Sequence, residues 1–119
     1  MPLKLLLKEL VESVAGATGA LLLASDGETV ESYAHDSGER LQLRGAYIAV
    51  AMQGGRALAL RARLNPGCLI MRYDGASFIA REVERDCFLV IELNASANVG
   101  LAVYHIQPMA ARIHRELGL

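Results

Sequence analysis

The chain has 119 residues, 53% of them hydrophobic, 21% charged and 5% aromatic. That is about one domain's length, with enough apolar content for a core without disulfides or metals, and it excludes disordered and collagen-like chains. Twelve basic residues against thirteen acidic ones leave a net charge of −1, so no global field argues for nucleic acid.

Leu3, Leu6, Leu7, Leu10 and Val14 recur at helical spacing, with Lys4, Lys8, Glu9 and Glu12 on the other side. This predicts a first amphipathic helix, and Gly16 supplies a left-handed stop. Residues 18–24 are a short apolar run, as a strand buried on both faces requires. Asp26-Gly27 signals a hairpin into a strand over 28–34, whose polar residues on both sides suit a sheet edge. Asp36 with Glu39 three residues later has the form of a capping box. A long helix is predicted from there into the low sixties, ending before Asn65-Pro66-Gly67.

Three strands follow, over 68–73, 77–83 and 87–93, joined by turns at Asp74-Gly75 and Glu84-Arg85-Asp86. A last helix is expected to start near Asn98 and to bury Val99, Ala102, Val103, Ile106, Ala110, Ile113 and Leu117. Pro108 lacks an N–H and crowds the preceding turn, which predicts a kink or a break. The order α-β-β-α-β-β-β-α predicts one α+β domain over residues 1–119 with a mostly antiparallel sheet.

Catalytic and metal motifs are missing from the sequence. It has no Gly-x-x-x-x-Gly-Lys-Ser/Thr, and Lys4 and Lys8 are its only lysines, so it is not a P-loop enzyme. His35-Asp36-Ser37 has the residue types of a triad, but sequence neighbours do not build a relay. His105 and His114 stand nine apart, the wrong spacing for two ligands on one helix face. Glu82, Glu84 and Glu92 read as solvent-facing. Cys68 and Cys87 open strands two places apart in the sheet, about 10 Å at the usual strand spacing, so two free thiols are expected. The amino-terminal segment is too charged for a signal peptide, and residues 93–111 are too polar to span a membrane. A soluble, cytoplasmic, non-enzymatic chain with no cofactor is the expectation.

Gly16-Ala17-Thr18-Gly19-Ala20 before the first strand, the Asp26-Gly27 turn, the three-strand block and Asn98-Val99-Gly100-Leu101 opening the last helix resemble the Roadblock family. These small domains are related to dynein light chains, and the family includes bacterial and archaeal regulators of Ras-like GTPases. The resemblance covers nearly the whole chain. It implies a five-stranded antiparallel sheet with the first and last helices on one face and the second helix on the other. It also implies a homodimer joined at the second helix and an adjoining edge strand. Gly54-Gly55 and Pro108 depart from the family's pattern, so local differences are expected there.

The second helix is the most informative element. Leu41, Ile48, Met52 and Ala59 trace one face, while Leu43, Tyr47, Val50 and Ala57 trace another, and residues 45–52 are apolar all round. A helix apolar on two faces needs two things to pack against. One is its own sheet, and a second molecule is expected as the other, with Leu43, Tyr47, Val50, Gly54 and Ala57 as the dimer interface. Residues 40–73 also hold six arginines and no acid. Those arginines either form a solvated face or meet an acidic partner. No aromatic residues interleave with them, which argues against nucleic acid. Arg40, Arg44 and Arg56 are the candidate contacts to a GTPase; Arg61 and Arg63 suit the helix dipole.

The expected function is a non-catalytic homodimeric regulator of a small Ras-like GTPase. The alternative is a dimeric scaffold or adaptor subunit that leaves GTP turnover unchanged. A small-molecule sensor stands third, because the helices place no polar cluster inside an apolar face.

Overall fold

The computed structural model describes residues 2–36, 39–63 and 67–118. Its elements are α1 (Leu3–Ser13), β1 (Ala17–Ala24), β2 (Thr29–Ala34), α2 (Glu39–Arg61), β3 (Cys68–Tyr73), β4 (Ala76–Glu84), β5 (Cys87–Leu93) and α3 (Val99–Glu116). The strands form one sheet in the order β2-β1-β5-β4-β3, antiparallel throughout. The β1–β2 hairpin and the β3–β4–β5 meander are therefore joined by the central β1–β5 pair. β2 is an edge strand, as its polar pattern predicts, and β3 is the other.

Strand alternation divides the core in two. Leu22, Ile79, Leu89 and Ile91 point to the face covered by Leu6, Leu7 and Leu10 of α1 and Ala102, Ile106 and Ile113 of α3. Leu21, Leu23, Phe78, Phe88 and Val90 point to the opposite face, where Leu41, Ile48 and Met52 of α2 close over them. β1 and β5 thus bury both faces, which is why their sequences are so apolar.

Turn chemistry fixes the register. Asp74 and Gly75 both have positive φ (49° and 76°), the geometry that lets a two-residue loop follow the twist of its strands. Gly27 (φ 93°) lies so close to α2 that a Cβ there would sit 3.2 Å from Ala46 Cα. The Asn98 side chain accepts the Leu101 N–H at 3.0 Å and starts α3. α2 is described from Glu39, and the Asp36–Glu39 capping box falls partly outside the described residues.

Of the two outcomes expected at Pro108, the break does not occur: α3 remains helical from Val99 to Glu116. The carbonyl deprived of its partner belongs to Tyr104, whose side chain is 73% exposed, so the proline falls on the wet side of the helix. Water can satisfy a carbonyl there. The buried stripe passes on the other side through Ile106, Met109, Ala110 and Ile113. Met109 joins it in addition to the residues foreseen.

Candidate functional site

α2 is anchored by one face only. Leu41, Gly45, Ile48, Ala49 and Met52 meet the sheet. Gly45 makes the approach close: a Cβ there would stand 2.9 Å from Leu23 Cδ2. The other face carries Leu43, Tyr47 and Val50 at 69%, 74% and 72% exposure. These three side chains follow a 4-3 spacing, which Gly54 and Ala57 continue as a shallow exposed track. Nothing lies within 4 Å of where a Gly54 Cβ would be. Leu58, Leu60 and Ile70 are also exposed, and the helical pattern did not single them out. Ile70 could have been found from its place on an edge strand. Leu58 continues the spacing from Val50 and Gly54.

Polar residues along α2 hold it to the sheet. Gln42 Nε2 donates to Ser32 Oγ at 3.2 Å, and Gln53 Nε2 to the Ser25 carbonyl at 3.4 Å. Arg44 donates to Glu92 Oε2 at 2.5 Å, and Thr18 Oγ1 donates to the other oxygen of the same carboxylate at 2.6 Å. Arg56 donates to the Arg85 carbonyl at 3.1 Å and lies 3.6 Å from Glu82 Oε2. Arg44 and Arg56 are therefore committed within the chain. Of the three arginines assigned to a partner, Arg40 alone is exposed and in no ion pair among the described residues.

Glu92 corrects an expectation. Rather than facing solvent, its side chain is 16% exposed and doubly hydrogen-bonded. Alternation on β5 puts residues 88, 90 and 92 on the α2 face, so Glu92 is carried beneath the first turns of α2. A bulge between Ala17 and Gly19 brings Thr18 to it. Glu92→Ala leaves Arg44 half-buried without its carboxylate and is expected to destabilise the fold by about 1–3 kcal/mol. The denaturant midpoint should fall accordingly, with the slope unchanged.

The remaining candidates stay apart. His105 lies in a hollow with Glu9, Ser13 and Arg112, whereas His114 lines a different cleft beside Arg81. No group of three His, Cys, Asp or Glu side chains among the described residues could hold a metal ion. Cys68 and Cys87 are free thiols. Burial, with Glu84 nearby, pushes the Cys87 thiol up to about 11, so it stays protonated at neutral pH. No helix among the described residues is long and apolar enough to cross a membrane.

This architecture is that of the Roadblock/LC7 domains. A Roadblock/LC7 domain from Streptomyces avermitilis superposes with a TM-score of 0.88 at 17% identity, over 100% of both chains. Myxococcus xanthus MglC, at 25% identity, gives 0.70 over 98% of this chain and 99% of its own. The gliding protein MglB from Thermus thermophilus, at 18% identity, gives 0.81 over 92% and 84%. No protein-family model matches the sequence, and no curated protein matches it significantly. The likeness is thus carried by the fold, with sequence identity of a quarter or less in these three.

Proposed function

We propose that the chain is one Roadblock-type unit that dimerises through the outer face of α2 and regulates a small Ras-like GTPase in the cytoplasm without catalytic groups of its own. The observation that carries this reading is the exposed row Leu43, Tyr47 and Val50 on a helix whose opposite face is already buried. Full burial of a Leu or Val side chain is worth about 1.5–3 kcal/mol, so a partner over this row is strongly favoured. The fold shared with MglB and MglC, and the family resemblance in the sequence, support a GTPase as the client.

In this reading the client contact moves away from Arg44 and Arg56, which are tied to Glu92 and Glu82. Arg40 at the start of α2 and Arg61 near its end are the exposed cations that flank the apolar row. They would steer an acidic surface and set the salt dependence of association. Regulation would then act by arranging the GTPase's own switch loops.

The experiment is single-turnover GTP hydrolysis and nucleotide release by Ras-like GTPases, first any encoded beside this gene, with and without the protein. A change of tenfold or more in either rate is the expected result. Tight binding with both rates unchanged would instead identify the scaffold or adaptor.

A further inference from the structure

A cleft on the other side of the sheet carries an inference that does not depend on the α2 reading. β3 pairs with β4 only as far as the Cys68–Arg81 pair, while β4 runs on to Glu84. The sheet is therefore one strand narrower beyond Arg81, and a cleft of about 370 Å³ opens between this end of β4 and the last turns of α3. Val83, Ala110 and Ala111 give it apolar lining, and Arg81, Glu82, Gln107, His114 and Arg115 give it polar lining.

The polar groups are unevenly matched. Arg81 is half-buried and shares a strand face with Ile79 and Val83 by alternation. Its guanidinium makes one long hydrogen bond, to the Gly67 carbonyl at 3.4 Å. Neither Arg81 nor His114 nor Arg115 is in an ion pair among the described residues. The one carboxylate of the lining, Glu82, is held by Arg56 at 3.6 Å. His114 and Arg115 have a structural reason to end α3, where cations suit the helix dipole. That reason does not extend to Arg81, which comes from a strand and leaves part of its donor fork unused. An adjoining hollow beyond β4 shares Arg81 and Glu82 but adds a second carboxylate, Glu84, so an anion is favoured on the α3 side.

We propose that this cleft binds the phosphate group of a small phosphate-bearing molecule. Two guanidinium forks, an imidazole and an amide offer donors matched to a dianionic oxyanion. The volume is at the small end of ligand sites, and the Val83–Ala111 wall would take a short apolar body. The sequence could not reveal the cleft, because residue 81 and residues 107–115 are joined only by the packing of α3 on β4.

The test is an NMR titration of the full chain with inorganic phosphate and with phosphoserine, each against sodium chloride at matched ionic strength. The expected result is a saturable shift of the His114 ring and the Ala110 and Ala111 amides, with phosphate and phosphoserine acting at the same residues. Arg81→Gln and Arg115→Gln should each weaken binding at least tenfold, and the circular dichroism of both should match the parent. Arg115 is exposed in the last turn, so that variant is expected to fold even if Arg81→Gln does not. Shifts that stay linear with concentration, that chloride reproduces, or that persist in a folded variant at unchanged affinity would overturn the proposal.

Discussion

Val50→Arg is expected to turn a dimer into a monomer without unfolding it. Val50 is 72% exposed in the isolated chain, so the substitution alters no buried contact and should change fold stability by less than about 0.5 kcal/mol. In the proposed dimer the same position lies at the middle of α2, which runs from Glu39 to Arg61. A symmetric antiparallel pairing places it near the two-fold axis, so each interface would receive two arginines facing one another. Burying charge without a partner costs several kcal/mol, and about 3 kcal/mol is already more than a hundredfold in dissociation constant. Sedimentation equilibrium should report a dimer for the parent and, at the same concentrations, a monomer for the variant, with identical far-ultraviolet dichroism. Leu43→Ala, which removes apolar area and adds no charge, should weaken the dimer by a smaller factor.

Gly16→Ala is expected to be among the most destabilising single substitutions in the chain. Gly16 has φ +89°, and its added Cβ would stand 2.7 Å from Ala97 Cβ and 2.9 Å from Ala97 Cα. The left-handed backbone alone costs an alanine about 1–2 kcal/mol. The second clash is against backbone, so the β5–α3 loop would have to retreat. That loop is tied to the same residue, because the Asn94 N–H donates to the Gly16 carbonyl at 2.8 Å. A loss of about 3 kcal/mol or more should lower the melting temperature by roughly 10–20 °C in a chain of this size. By contrast Gly54→Ala, with open space around it, should be neutral or mildly stabilising in the monomer, since alanine is the better helix former.

The contrast between these glycines marks what a sequence can and cannot tell. Elements and their order were legible because each one carries its own local signal. The apolar runs of β1 and β5, the Asp-Gly turns and the Asn98 cap all act through neighbours in the chain. The two apolar faces of α2 were legible for the same reason, since helical spacing alone separates Leu43, Tyr47 and Val50 from Leu41, Ile48 and Met52. What was not legible depends on distant partners. Arg44 and Arg56 look like unpaired cations in the sequence because Glu92 and Glu82 lie 48 and 26 positions away and meet them only after the sheet forms. Pro108 suggests a break only while its helical phase relative to solvent is left out. Its neighbours on the buried stripe, Ile106 and Met109, place it on the outer side, where the lost hydrogen bond is cheap.

Cysteine cross-linking tests most directly whether the outer face of α2 meets a second copy of the chain. Val50→Cys and, separately, Tyr104→Cys would be introduced with Cys68 replaced by serine, leaving Cys87 buried and protonated at neutral pH. Under mild oxidation Val50→Cys should give a covalent dimer in high yield, because the residue nearest a two-fold axis faces its own copy. Tyr104→Cys, on the exposed side of α3, should remain monomeric on a denaturing gel. A covalent dimer from Tyr104→Cys with none from Val50→Cys would contradict the α2 interface and move it to the α1–α3 layer.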